Sequence, residues 1–450
     1  MTTAPRPADS AAPGRNTALT PAERRLAVIA FAIVGVAMVA FTLAASSILS
    51  AVHSASDEAA YLKYAHNILN GGYAVAGQQQ EGLYLWHTPG LPLLIAPLVW
   101  LGIPIEVIRL IGPLCLIASG VLLMVILRRF VRPWVAIAAG LLLCLYPPFW
   151  RLLPQLFAEP PALLLGLAGF EALIRYAERR RIGWAITAGL AFGAMIMFRP
   201  EYGYMALAAL VLAILALAHP RWRAVARPAA VSCAVAMAVC LPWLAYTYSK
   251  THVPLYWTAS SGESLYWMSS PSPGETGSWQ TANADFTDPN LAPHRALFRR
   301  LAAMPQLQAN RELTRVAIDN IEQHPGSYLR HLIDNGERIF LGIPFSFEHN
   351  TAQNLAFYGL PDIGLLVVAL AGSVVLSRRR ERLPGRLVPI VAFAAVSLAW
   401  HLPVAAYPRM ATLSIPAFLI LAALGFDRWI TSRARKRRVM RRVGEISVVD

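Results

Sequence analysis

The chain is poor in charge. Only 14% of its 450 residues are Asp, Glu, Lys or Arg, against about 25% in an average soluble domain. That argues against a soluble globular enzyme. Acids are scarcer than bases: 25 Asp and Glu stand against 40 Lys and Arg, a formal net charge of +15. Cysteine is scarce as well. Cys115, Cys144, Cys233 and Cys240 all lie in apolar runs, without metal-ligand spacing or a disulfide framework, so they read as packing residues. There is no glycine-rich phosphate loop, no GxSxG elbow and no HExxH pair, which removes three common catalytic classes. No internal repeat is visible, and a transporter built from two related halves would show one.

Apolar residues are what the chain has in plenty, at 56%. Apolar runs of ~17–25 residues recur from end to end, the mark of an all-α, polytopic membrane protein. Ten spans are expected, at about 26–49, 105–127, 133–154, 157–176, 182–199, 202–218, 228–248, 358–376, 387–404 and 410–428. The basic residues cluster between them, at Arg128 to Arg132, Arg175 to Arg181, Arg221 to Arg227, Arg378 to Arg386 and Arg433 to Arg442. This is the charge bias of cytoplasmic loops rather than a nucleic-acid surface. With ten spans both termini are cytoplasmic and every basic cluster falls inside.

The expected organisation is a disordered cytoplasmic tail over 1–24, one transmembrane domain over 25–430 and a basic cytoplasmic tail over 431–450. The tail could also touch anionic membrane lipids. Two external segments interrupt the domain, a first loop at 50–88 and a large one at 249–357. In the first, Asp57 to Leu69 reads as an amphipathic helix with Ala60, Tyr61, Tyr64, Ala65 and Ile68 on one face, stopped by Asn70-Gly71-Gly72. Pro89 to Leu101 is apolar but rich in proline and is read as interfacial. In the second, Glu312 to Phe340 reads as an amphipathic helix broken at Pro325-Gly326.

Titratable residues near the external ends are the candidates for chemistry. Asp57 and Glu58 are adjacent. Helix capping by Ser54 or Asp57 accounts for them. Alternatively Asp57, desolvated at the mouth of an apolar cavity, is made more basic and takes a proton from an attacking hydroxyl. His87, in His87-Thr88-Pro89-Gly90, either opens a helix or meets an anionic phosphate with nearby N–H groups. Glu159-Pro160 sets an acid at a span boundary, where it is solvated, paired or functional. Arg199, in Arg199-Pro200-Glu201, and Arg409, in Tyr407-Pro408-Arg409, are external-side cations. Each needs an anion, from Glu201 or Glu159 or from a ligand phosphate. His324 and His331 are seven apart and read as surface histidines. The rings of Tyr256, Trp257, Tyr266, Trp267 and Trp279 form an interface belt or a sugar platform.

The order of these segments resembles that of bacterial membrane glycosyltransferases of the dolichyl-phosphate-mannose protein mannosyltransferase and aminoarabinose transferase superfamily, of GT-C fold. Asp57-Glu58-x-x-Tyr61 with Gly71-Gly72-Tyr73 resembles the first-loop acidic motif. Thr88-Pro89-Gly90-Leu91-Pro92-Leu93, Tyr146-Pro147-Pro148 with Glu159-Pro160, and Gly189 to Glu201 follow in order. Pro242-Trp243 through Val253-Pro254-Leu255 to Gly262-Glu263-Ser264-Leu265-Tyr266-Trp267 is also similar.

The resemblance implies an inverting transfer of a sugar from a polyprenyl-phosphate donor to a lipid, glycan or protein acceptor, on the extracytoplasmic face of a bacterial plasma membrane. Asp57 would be the base, and Glu58 or Glu159 would orient it, the acceptor or a metal. Arg199, Arg409 and His87 would hold the phosphate, and Tyr61, Tyr266 and Trp267 would line the substrate loops. Related enzymes can bind a divalent metal ion, but no ligand set here marks one. The rival reading is a secondary transporter or lipid flippase.

Overall fold

The computed structural model describes residues 19–48, 57–74, 85–280, 288–347 and 351–446. The proposed cap Ser54, most of the N-terminal tail, the last four residues and the tip of the first loop lie outside them. Among the described residues every regular element is helical.

Helix α1 (Pro21–Ile48) opens on a reciprocal cap. The Glu23 amide donates to Thr20 Oγ1 at 3.2 Å, and the Thr20 amide donates to Glu23 Oε2 at 2.9 Å. Helix α2 (Asp57–Leu69) runs as expected and ends at Gly71, whose φ of +86° suits a residue without Cβ. Then come α3 (Gly90–Trp100), α4 (Ile105–Ile108) and α5 (Ile111–Leu127). A single expected span is split into α6 (Pro133–Leu145) and α7 (Pro147–Leu152) at Tyr146, where the following proline forces an extended ψ of 118°. Helices α8 (Glu159–Arg179), α9 (Ile182–Phe198), α10 (Glu201–Leu217) and α11 (Arg223–Thr251) complete the first bundle.

The large hydrophilic segment, expected to be external, folds as α12 (Ser261–Ser269), α13 (Arg295–Ala302), α14 (Gln306–Gln323) and α15 (Pro325–Leu341). Its break falls at His324-Pro325, next to the expected one. The chain returns through α16 (Thr351–Asn354) and a π-turn into α17 (Leu360–Arg378), then α18 (Val388–His401). A 3-10 turn (Pro408–Ser414) leads into α19 (Ile415–Ile446).

Among the described residues six segments are long and apolar enough to cross a bilayer: Pro21–Ser47, Ile105–Leu127, Pro133–Leu152, Arg223–Thr251, Thr351–Arg378 and Pro408–Arg433. The protein is a multi-pass membrane protein. Helices α3, α9, α10 and α18 are apolar but shorter. Helix α8, expected as a span, carries Glu171, Arg175, Glu178 and Arg179 near its end. The count of ten is therefore an expectation resting on these shorter or more polar helices.

Two of the basic clusters meet acids of α8 and α19 at one end of the bundle. Arg129 donates to Glu171 at 2.8 Å, Arg386 to Glu178 at 3.1 Å, and Arg132 lies 3.4 Å from Asp427. These pairs tie α5, α6, α8, α18 and α19 together where the sequence expects the cytoplasmic face. At the opposite end α7, the end of α9, α18 and the turn before α19 converge on a cavity. All four cysteines are reduced, with Cys144 and Cys240 buried.

Candidate active site

A cavity of about 1660 Å³ lies between those helix ends and the helices of the large hydrophilic segment. Asp57, the first residue of α2, lines it with its side chain 26% exposed. Arg409 reaches back across 352 positions and donates to Asp57 Oδ2 at 2.6 Å. The sequence expects burial to make Asp57 more basic, and here the structure departs from it. Desolvation is the largest single influence and does raise the pKa. The charges of Arg409, His87 and Arg199 and the Arg409 hydrogen bond together outweigh it, holding the carboxyl at about 2.

From Asp57 a ribbon of alternating charge follows the wall. Arg409 Nε lies 3.7 Å from Glu159 Oε1, and Arg199 Nη1 donates to that same oxygen at 2.9 Å. Arg199 Nε donates to Glu201 at 2.7 Å, and His401 Nε2 stands 3.6 Å from Glu201. The chain builds this ribbon from chain breaks. Helix α9 ends at Phe198, Arg199 is extended, and Pro200 starts α10. Arg409 sits in the 3-10 turn behind Pro408. Helix α3 can approach because Gly90 has no side chain; a Cβ there would stand 2.3 Å from the Met197 carbonyl. Both arginines thus have internal acidic partners, one of the two alternatives open from sequence. Glu159 is buried behind them and does not line the cavity.

His87 Nε2 lies 3.7 Å from Asp57, and its ring is 4.6 Å from that of Tyr61, which also lines the cavity. Burial, only partly opposed by Asp57 and reinforced by the two arginines, lowers the His87 pKa to about 4. At neutral pH His87 is an uncharged hydrogen-bonding group. Burial, then the charges of Asp57 and Glu159, raises the Tyr61 pKa well above its ordinary value and keeps the phenol protonated.

Other expected residues are turned away. Glu58 is 1% exposed and absent from the cavity lining. It accepts from Arg109 Nε at 2.8 Å and from the Leu156 amide at 2.8 Å, clamping α2 to α4 and the loop before α8. That clamp turns Glu58 away from the cavity that Asp57 lines. Tyr266 and Trp267 are buried among α12, α13 and α14. Tyr266 bonds His294 at 2.7 Å, and His294 bonds Glu275 at 2.6 Å. His331 is no surface histidine either. It is buried between the carbonyls of Met268 and Glu275, at 3.0 Å from each.

Sequence reading missed three lining residues. Arg151 on α7 stacks over Tyr358 at 5.2 Å and donates to Asn354 at 3.3 Å, with no carboxylate partner among the described residues. His401 joins the ribbon at Glu201. Glu263 on α12 lines the cavity, and its carboxyl is pushed up to about 8 by burial. A cation directly after a Pro-Pro helix start, as at Pro147-Pro148-Phe149-Trp150-Arg151, was the available signal for the first. Among the described residues no group of three or more His, Cys, Asp or Glu is arranged to hold a metal ion. The cavity carboxylates Asp57 and Glu201 are already engaged by arginine.

Residues 86–246 match the family model of the dolichyl-phosphate-mannose-protein mannosyltransferases. The match holds His87, Glu159, Arg199 and Glu201, while Asp57 and Arg409 lie on either side of it. No curated protein matches the chain. Among solved structures, the chain is similar to the archaeal oligosaccharyltransferase AglB from Archaeoglobus fulgidus, determined with an inhibitory peptide and a dolichol-phosphate. The similarity has 13% identity and a TM-score of 0.47, over 93% of this chain and 52% of that one. This chain thus spans about half the length of that protein. The family match supports a membrane glycosyltransferase.

Proposed function

We propose that the protein is an inverting glycosyltransferase that moves a sugar from a polyprenyl-phosphate donor to an acceptor hydroxyl on the extracytoplasmic face of a bacterial plasma membrane. The observation that carries this is the contact of Asp57 with Arg409 on the wall of a large cavity. It joins a carboxylate base to a phosphate-binding cation at the opening between membrane helix ends, where a lipid-borne substrate can enter sideways.

The acceptor oxygen attacks C1 of the sugar as the bond from C1 to the phosphate oxygen breaks. The acceptor proton passes to Asp57, and the polyprenyl phosphate leaves. Its phosphate goes from one negative charge to two as that bond breaks. Preplaced cations therefore stabilise the transition state more than the bound donor, and that difference accelerates the step.

In the free protein Asp57 is a poor base because Arg409 holds it. Donor binding supplies a competing anion. As Arg409 turns to the phosphate, Asp57 loses its strongest partner and its basicity recovers. Glu159, bonded to Arg199 and close to Arg409, is a positioning residue that keeps both guanidinium groups at the wall. Glu58 acts only through the clamp with Arg109.

Incubating the purified protein with a panel of polyprenyl-phosphate sugars, and following their consumption, tests the reading. Consumption by the wild type that vanishes in Asp57→Asn is expected. Donor translocation across vesicles without cleavage would favour the transporter instead.

A further inference from the structure

The cavity is far larger than one phosphate and one sugar need, and its chemistry is divided. Every cation in its lining, Arg151, Arg199 and Arg409, comes from the ends of membrane helices. The lining contributed by residues 257–310 holds no lysine, arginine or histidine among the described residues. It offers hydroxyls from Ser260, Ser261 and Ser264 and the carboxyls of Glu263 and Asp288. Trp279 from this region meets Trp86 from the first loop edge to face, with centroids 5.7 Å apart, and both line the cavity.

The geometry points to this cation-free lining as the acceptor subsite, shaped for an uncharged polyhydroxyl group, the end of a glycan, with Glu263 as a specificity-determining residue. This rests on the transferase reading above. Three features carry it. First, a phosphorylated acceptor would meet two carboxyl side chains and no cation there. Second, much of this lining is helical, so its backbone groups bond within α12, α13 and α14; a peptide backbone finds no open edge to pair with. Third, paired hydrogen-bonding side chains beside flat rings match a sugar, whose hydroxyls take the former and whose C–H face takes the latter.

Glu263 is held in place by its neighbour. Gly262 lets α12 press on α14, since a Cβ would stand 2.2 Å from the Asn310 carbonyl, and its amide donates to Asn310 Oδ1 at 2.7 Å. The Glu263 carboxyl receives a long bond from Trp267 at 3.5 Å, which leaves capacity for a ligand. Its raised pKa keeps it protonated at neutral pH, able both to donate to and accept from a hydroxyl.

The test uses the full chain in nanodiscs and ligand-observed NMR. The probes are neutral manno-, gluco- and N-acetylglucosamine disaccharides, glucose 6-phosphate and a serine-containing hexapeptide. Polyprenyl phosphate binding is measured in parallel. Saturable binding of at least one neutral disaccharide is expected. Glu263→Ala should weaken it about tenfold, Glu263→Gln should largely keep it, and polyprenyl phosphate affinity should be unchanged in both. Preference for the sugar phosphate or the peptide overturns the inference. So does disaccharide binding indifferent to Glu263→Ala, or a protein that binds polyprenyl phosphate and no saccharide. A wild type that binds no polyprenyl phosphate overturns the transferase reading, and this subsite with it.

Discussion

The cavity has two linings that differ in what holds their polar groups. On the membrane-helix side every lining arginine but Arg151 is paired with carboxylates: Asp57 with Arg409, Glu159 with Arg199 and Arg409, Glu201 with Arg199. On the side built by residues 257–310, Glu263 and Asp288 have no such cationic partners in the lining among the described residues. A network of that first kind is organised but masked, and it becomes reactive only when a ligand competes for one of its members. The second lining is unmasked and suits direct recognition of hydroxyls. The bundle's other end makes the same point. Its Arg129–Glu171 and Arg386–Glu178 pairs resemble the ribbon in composition, yet they line no such cavity. Ion pairing alone does not mark a site; ion pairing beside a ligand-sized space does.

The largest expected effect separates Asp57 from its own network. Asp57→Asn keeps the shape and removes the base, so single-turnover transfer should fall by ~10²–10⁴-fold. Donor affinity should hold or tighten, because Arg409 is then free for the phosphate. Wild-type turnover in this variant would count decisively against the role. The neighbouring Glu58→Ala should do the opposite. It leaves Arg109 buried without its anion, a loss of ~3–5 kcal/mol for a broken buried pair. Thermal unfolding of the purified variant should show it, with turnover per folded molecule close to normal.

These adjacent carboxylates also show what a sequence can disclose. Helix α2 was legible in full, because its apolar face repeats at helical spacing and Asn70-Gly71 stops it. So was the turn at Arg199-Pro200-Glu201, while the break expected at Pro325-Gly326 falls one residue earlier, at His324-Pro325. The roles of Asp57 and Glu58 within α2 were not separable, since the partner that decides Glu58 is Arg109, 51 residues away. The same holds for the basicity of Asp57. Local sequence suggests an acid raised by desolvation, while Arg409, 352 positions on, reverses the sign. Helix existence follows from short-range periodicity; side-chain pairing follows from long-range packing. Tyr266 and Trp267 failed as lining residues for that reason, since an aromatic-rich helix serves a core or a cavity equally well.

Arg151 sharpens the contrast between masked and unmasked groups. It is the lining arginine whose positive charge no carboxylate offsets among the described residues. A charge-assisted hydrogen bond contributes about 1.5–3 kcal/mol, so Arg151→Gln should weaken polyprenyl phosphate binding at least about tenfold. Titration calorimetry with polyprenyl phosphate, and with polyprenol as the uncharged control, reads it. Equal losses for both ligands would place Arg151 at the lipid rather than at the phosphate.

A pH profile tests whether the donor unmasks the base. A carboxylate acting as base must be ionised, so activity is present above its pKa and lost below. In the free protein Asp57 stands at about 2 and His87 at about 4. The donor kcat/KM, which reports the free enzyme, should therefore show no loss from either group down to about pH 5. With donor bound, Asp57 has given up Arg409, and the acid limb of kcat should move to higher pH. Coincident limbs would mean that Arg409 stays on Asp57 throughout the reaction.

The smallest effect is expected at His87. Because it is uncharged at neutral pH, it offers the phosphate at most one ordinary hydrogen bond, worth about 0.5–1.5 kcal/mol. His87→Gln preserves a donor of similar reach and should change polyprenyl phosphate affinity by only ~two- to fivefold. If His87→Gln proved more damaging than Arg151→Gln, the donor phosphate would have to sit against Asp57 itself. Donor binding would then charge His87, and the cation that matters would be created by the ligand rather than standing ready in the wall.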